Sequence, residues 1–126
     1  MSEPQKKVWI VEDDKDFLWL LRQNFDNQGI IVMYALSGEE GLVVAEKEKP
    51  DLIVVDILLP GMDGISMAKK IKAKGIVSEI IFLTNLKDPA HISEAIGTVG
   101  GTDYIVKADM HLDAIVQRVK DRLKVK

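Results

Sequence analysis

Short apolar runs that end in polar residues are the feature of this chain that most constrains its fold. Four such runs end at Glu12, Asp56, Thr84 and Lys107, and helix-like stretches separate them. Runs rich in Val and Ile that alternate with helical segments are typical of a parallel α/β sheet. The carboxyl ends of parallel strands meet at one edge of the sheet, and ligands bind there. We therefore expect the four polar residues to face one common site.

The complete pattern consists of five strand–helix units. The predicted strands lie at about 7–12, 30–35, 51–56, 79–84 and 103–107, and the predicted helices at about 15–28, 38–48, 63–75, 88–99 and 110–124. Strands joined by helical crossovers are parallel and carry helices on both faces, so a central strand is apolar throughout. The expected fold is a flavodoxin-like, doubly wound α/β sandwich of three layers, (βα)5, with sheet order 2-1-3-4-5.

The composition excludes several classes of protein. With 126 residues we expect a single domain over 1–126, with its core at about 7–125. The net charge of −3 does not favour direct binding to nucleic acid, and the absence of cysteine excludes disulfides and thiolate metal sites. Neither a signal sequence nor an apolar run of membrane length is present, so a cytoplasmic protein without a membrane partner is expected.

Local signals mark the beginnings of three predicted helices. Asp14 and Asp63 are suited to N-cap positions, and Ser37 with Glu40 has the spacing of a capping box. Trp19 lies off the apolar stripe of the first helix, where we expect packing at the periphery of the core, with partial exposure as the alternative.

The acidic residues at the strand ends predict a metal site. Asp13 and Asp56 would lie on adjacent central strands, close enough to repel each other. Carboxylates packed in this way need a cation, and oxygen ligands with room for water suit Mg²⁺. Glu12 would add a further carboxylate, directly or through a water molecule. A solvated loop with a helix cap is the alternative for the acidic run alone, but the polar ends of the other strands favour the metal site.

The same strand ends predict phosphoryl chemistry. Asp56 is the best candidate nucleophile, because a carboxylate at a strand end can attack phosphorus and form an aspartyl phosphate. Lys107 would place a positive charge on the phosphoryl oxygens, and the Thr84 hydroxyl would donate a hydrogen bond to one of them.

Taken together, these motifs resemble the receiver domain of two-component response regulators over essentially the whole chain. The motifs that carry the resemblance are Val11-Glu12-Asp13-Asp14, Asp51-Leu52-Ile53-Val54-Val55-Asp56, Leu59-Pro60-Gly61-Met62-Asp63-Gly64, Leu83-Thr84 and Asp103-Tyr104-Ile105-Val106-Lys107. The resemblance implies that Asp56 accepts a phosphoryl group from a histidine kinase or phosphotransfer protein. It also implies that Glu12, Asp13, Asp56 and the backbone carbonyl of Leu58 hold Mg²⁺.

The resemblance further implies a signalling switch. Thr84 and Tyr104 would be its switch pair, the hydroxyl moving toward the phosphoryl group and the ring turning into the vacated space. The surface of the 88–99 helix, the fifth strand and the final helix would respond, and would bind a downstream protein or a second copy of the chain. A stand-alone regulator similar to the chemotaxis regulators is one form that such a chain takes.

Two residues depart from the family pattern and keep alternatives open. Ala108 follows Lys107 where the family usually has proline in a cis peptide, so either the strain of a cis bond is tolerated here or the bond is trans. Asn85 stands where a small residue is usual, which favours slower phosphorylation. A pseudo-receiver that binds partners without phosphorylation is therefore an alternative. An aspartyl phosphatase is a weaker alternative. Such enzymes usually need a second acid two residues after the nucleophile, and that position is Leu58 here.

Overall fold

A computed structural model describes residues 5–25, 29–85, 93, 97 and 103–124 of the 126-residue chain. Its strands are β1 (Lys6–Val11), β2 (Ile30–Ala35), β3 (Leu52–Asp56), β4 (Glu79–Thr84) and β5 (Asp103–Val106). Its helices are α1 (Lys15–Phe25), α2 (Gly38–Glu48), α3 (Gly64–Ala73) and α4 (Leu112–Leu123), with a 3-10 turn at Lys107–Asp109. The predicted 88–99 helix lies outside the described residues, except that positions 93 and 97 are helical.

The five strands form one parallel sheet in the order β2-β1-β3-β4-β5. In its register Val11 lies beside Val55, Asp56 beside Leu83, and Thr84 beside Val106. The carboxyl ends of the central strands are therefore level with one another. This sheet confirms the predicted fold class and strand order.

Apolar residues cover both faces of the sheet. On one face Trp9, Ile53 and Phe82 pack with residues of α2 and α3, among them Ala45 and Met67. A second cluster, on the opposite face, joins the sheet to α1 and α4. Its buried members include Ile10, Val54, Leu83, Leu21 and Val119. Every residue of β3 is buried, as expected for a central strand with helices on both sides.

The predicted helix caps are present. Asp14 accepts a hydrogen bond from the backbone N–H of Phe17 at 3.1 Å, and Ser37 accepts one from Glu40 at 3.2 Å. Asp63 accepts one from Ser66 at 2.7 Å, which begins α3 directly after the turn that follows β3. These bonds satisfy backbone donors that a helix leaves unpaired in its first turn.

The expectation for Trp19 was wrong. Its side chain is 58% exposed, because it lies beside the buried stripe of α1 that Leu18, Leu21 and Phe25 form. Among the described residues no helix is both long and apolar enough to cross a bilayer.

Candidate functional site

The carboxyl edge of the sheet brings together the polar residues that follow β1 and end β3 and β4. Glu12 and Thr84 are 0% exposed and Asp56 is 6% exposed, and these are the buried polar side chains among the described residues. The sheet's hydrogen bonding continues past the strands, since the backbone N–H of Glu12 donates to Ala35 and that of Ile57 to Leu83. This edge is therefore rigid up to the site.

Lys107 closes the site from β5. Its Nζ atom lies 3.2 Å from Asp56 Oδ2 and contacts Glu12 Oε1, and the side chain is only 9% exposed. The peptide bond between Lys107 and Ala108 is trans, and the 3-10 turn that follows β5 carries both residues. The structure thus resolves the alternative that Ala108 left open, and the trans bond is compatible with a lysine that reaches the two carboxylates.

The charges in this group are strongly coupled. The pKa of Glu12 is raised to about 8, chiefly by burial and then by a hydrogen bond shared with the Asp56 carboxyl, while Lys107 opposes the shift. Burial acts to lower the pKa of Lys107, but Glu12 and Asp56 outweigh that effect, and the net shift is upward. Two buried carboxyl groups beside one ammonium therefore favour retention of a proton on Glu12 at neutral pH.

A metal ion would fit the acidic group. Glu12, Asp13 and Asp56 can each present one carboxylate oxygen such that the three atoms lie within 4.8 Å of one another. Asp13 is exposed while the other two are buried, so the group opens to solvent on one side. An all-oxygen set with an open side suits a hard divalent cation that keeps some of its water.

Leu58 follows Asp56 in the loop that leads to α3. Its backbone N–H donates to Asp56 Oδ1 at 3.1 Å, and its side chain is 54% exposed. One oxygen of Asp56 is therefore held by the loop and the other by Lys107.

Thr84 and Tyr104 lie on the same face of the sheet. Tyr104 pairs with Phe82, two residues before Thr84, and strand residues two apart point to the same side. The Tyr104 ring is half-buried and packs against the core cluster that contains Phe82. Asn85, directly after Thr84, is exposed.

Two contacts of this region were missed by the sequence analysis. Lys107 Nζ lies 4.5 Å from the centre of the Phe17 ring, a cation–π distance, and the sequence analysis gave Phe17 no place at the site. Glu39 in α2 accepts a hydrogen bond from the backbone N–H of Met62 at 2.8 Å. Nothing in the sequence distinguishes this glutamate from a solvated residue in the first turn of a helix.

The same fold and sequence pattern occur in known proteins. The family model for the response regulator receiver domain matches residues 8–120. The PhoP alkaline phosphatase synthesis transcriptional regulatory protein of Bacillus subtilis is 39% identical over 103 residues, which cover 81% of this chain and 42% of that protein. The transcriptional regulatory protein AfsQ1 of Streptomyces coelicolor is 33% identical over 115 residues, covering 86% of this chain and 50% of that protein.

A solved structure agrees with these relatives. The receiver domain of the Francisella response regulator 1452 superposes with a TM-score of 0.86 at 29% identity, over 95% of this chain and 98% of that one. The chain spans half the length or less of the two curated relatives, so the match concerns their receiver part. The acidic edge, the strand order and the extent of the family match lead to one conclusion: the chain belongs to the receiver-domain family of two-component response regulators.

Proposed function

We propose that this receiver is a phosphoacceptor switch in which Asp56 takes a phosphoryl group from the phosphohistidine of a histidine kinase or phosphotransfer protein. The observation that carries the proposal is the setting of Asp56. Its carboxyl group ends the most buried strand, is itself 6% exposed, and has the Lys107 ammonium 3.2 Å from Oδ2. A carboxylate held beside a cation at the ligand edge of a parallel sheet is suited to attack an electrophilic phosphorus.

The proposed cofactor is Mg²⁺, held by Glu12, Asp13, Asp56 and the backbone carbonyl of Leu58. When bound, the ion would neutralise charge on the phosphoryl oxygens during transfer. The close approach of the three carboxylates supports this assignment. The Leu58 carbonyl is proposed from the family resemblance, and the hydrogen bond from the Leu58 N–H to Asp56 supports it by placing this loop beside the carboxylates.

In the proposed transfer, a carboxylate oxygen of Asp56 forms a bond to phosphorus. The bond between phosphorus and the donor's imidazole nitrogen breaks, and that nitrogen keeps the electron pair and takes up a proton from solvent. The Lys107 ammonium then forms an ion pair with the phosphoryl oxygens, and the Thr84 hydroxyl donates a hydrogen bond to one of them.

The proposed output is a shift between two arrangements of the surface formed by the 88–99 segment, β5 and α4. The new dianion favours the arrangement in which Thr84 and Lys107 both reach it, and Tyr104 follows on the same sheet face. Arg118 of α4 lies 2.7 Å from Asp103 at the start of β5, so strand and helix are already tied together there. The partner would be a downstream protein or a second copy of the chain, in the cytoplasm, without direct contact to nucleic acid or membrane.

The experiment is intact mass spectrometry after incubation with Mg²⁺ and acetyl phosphate. The parent chain is expected to gain one phosphoryl group, and the Asp56→Asn variant none. A parent that gains nothing, even from a panel of phosphorylated histidine kinases, would contradict the proposal and favour a pseudo-receiver. A gain of mass in both the parent and the Asp56→Asn variant would mean that a residue other than Asp56 carries the phosphoryl group.

The same experiment separates a switch from a turnover enzyme. Leu58 and Leu86 stand two residues after Asp56 and Thr84, where a polar side chain could orient a hydrolytic water and leucine cannot. Leu86 lies outside the described residues. We therefore expect the added mass to persist well beyond seconds. Complete loss within seconds would contradict a long-lived signalling state.

A further inference from the structure

The loop between β3 and α3 rests against the first turn of α2. Glu39 Oε1 accepts the Met62 N–H at 2.8 Å, and the carboxylate is otherwise at the protein surface. Gly38 allows this approach, since a Cβ atom there would lie 2.6 Å from the Met62 carbonyl oxygen. On the loop side, Gly61 has a φ of +74°, and a Cβ atom there would lie 2.8 Å from Glu39 Oε1. Gly38 is therefore required by the close approach of the Met62 backbone, and Gly61 by its positive φ, since the end of the Glu39 side chain could move aside.

This loop also carries the backbone that adjoins the phosphoacceptor. Its inner end is anchored through backbone N–H groups: Leu58 donates to Asp56, and Leu59 and Gly64 donate to the Ile57 carbonyl at 3.2 and 3.0 Å, so none of these bonds engages the Leu58 carbonyl. Its outer part is exposed at Pro60 and Gly61, so side-chain packing there is weak. The Met62–Glu39 hydrogen bond holds the backbone of this outer part to α2, and the Met62 side chain packs against the core cluster beneath.

Building on the proposed function, we propose that Glu39 is a positioning residue for the metal site. By holding Met62, its carboxylate fixes the loop conformation in which the Leu58 backbone is available to Mg²⁺. Hydrogen bonds from the Met62 backbone, from its own backbone and from Ser37 lower the pKa of Glu39, so the acceptor stays charged at neutral pH. A glutamate that only complemented the helix dipole would need no partner in this loop.

Glu40 provides a matched control. It is exposed, lies in the same first turn of α2, and carries the same charge, but its carboxylate makes no hydrogen bond or ion pair with the described residues of the loop. Glu39→Ala, Glu39→Gln and Glu40→Ala each remove one negative charge near the site. Any loss of long-range attraction for Mg²⁺ is therefore common to all three variants. Glu39→Gln keeps a carbonyl oxygen that can accept the Met62 N–H.

The experiment measures Mg²⁺ affinity by calorimetric titration and hydrogen exchange of the Met62 amide by NMR. For Glu39→Ala we expect faster exchange at Met62 and a Kd for Mg²⁺ that rises by about 3- to 10-fold, the effect of losing one hydrogen bond. Glu40→Ala is expected to stay within about twofold of the parent, and Glu39→Gln between the two. At saturating Mg²⁺, the phosphorylation rate of Glu39→Ala should return to that of the parent.

Equal Mg²⁺ affinity in Glu39→Ala and Glu40→Ala would overturn the positioning role while leaving the proposed function intact. If Glu39→Ala fails to fold, Glu39→Gln takes its place, and its Kd for Mg²⁺ should still exceed that of Glu40→Ala. A parent chain that binds no Mg²⁺ would overturn both proposals, and the Asp56 mass experiment would show separately whether phosphorylation also fails.

Discussion

Glu12 lies in surroundings that oppose its ionisation. It is 0% exposed, and its carboxyl group shares a hydrogen bond with that of Asp56. Lys107 compensates for only part of this cost, so the pKa of Glu12 is raised from 4.5 to about 8. A bound divalent cation would replace the proton as the partner of these carboxylates.

This shift predicts a pH dependence of Mg²⁺ binding. The metal requires ionised Glu12, and because the pKa lies near 8 the metal-free site holds a proton below that pH. Binding therefore releases a proton, and affinity increases as pH rises. The Kd for Mg²⁺ should fall by about tenfold between about pH 6 and pH 7 and level off above about pH 8. Titration calorimetry in buffers of different ionisation enthalpy would measure both the affinity and the proton release.

Glu12→Gln is the control for this effect, since it removes the titrating group and should flatten the dependence in this range. A Kd of the parent chain that stays constant between about pH 6 and pH 8 would contradict the protonated state of Glu12.

At the level of elements, most strand and helix positions could be predicted because each apolar run ends in a cap, a glycine or a charge. β5 was predicted one residue too long. It ends at Val106 because its partner in β4 ends at Thr84, and pairing with a neighbouring strand is not visible in the local pattern. The positions of the strand-end residues were predictable, because the carboxyl ends of parallel strands meet at one edge of a sheet. The contacts of Phe17 and Glu39 were not, since they depend on how two helices pack against the sheet edge.

The junction between β3 and α3 predicts a large effect for Gly64→Ala. A Cβ atom at this position would lie 2.2 Å from the Asp56 carbonyl oxygen, and backbone cannot move aside as a flexible side chain can. We expect the free energy of unfolding to fall by about 2–3 kcal/mol, as for overpacking in a core. Chemical denaturation would measure the change.

Gly97→Ala is the contrasting substitution at the same scale. Gly97 is helical and exposed, and among the described residues a Cβ atom would meet nothing within 4 Å. Alanine should therefore stabilise the chain by about 0.5–1 kcal/mol through helix propensity. Equal effects of the two substitutions would contradict the close approach of Gly64 to the end of β3.

For the whole molecule, Mg²⁺ binding at the proposed site should increase global stability. A ligand that binds only the folded state at ten times its Kd adds about 1.4 kcal/mol, which raises the Tm of a domain of this size by roughly 5 °C. Asp13→Asn should lose this response without loss of fold, because Asp13 is exposed and its removal relieves repulsion between carboxylates. Thermal unfolding with and without Mg²⁺ would test this, and an equal rise in both chains would exclude Asp13 from the site.

The two tryptophans lie in opposite surroundings, and this difference gives the protein two separable optical signals. Trp9 is 5% exposed, and among the described residues its Nε1 has no hydrogen-bond partner, whereas Trp19 is 58% exposed. Fluorescence should therefore contain a short-wavelength component that acrylamide does not quench and a long-wavelength component that it does. In Trp19→Phe the remaining emission would come from Trp9 in β1, three residues before Glu12. The fluorescence of this buried tryptophan could therefore report the binding of an ion at the acidic edge.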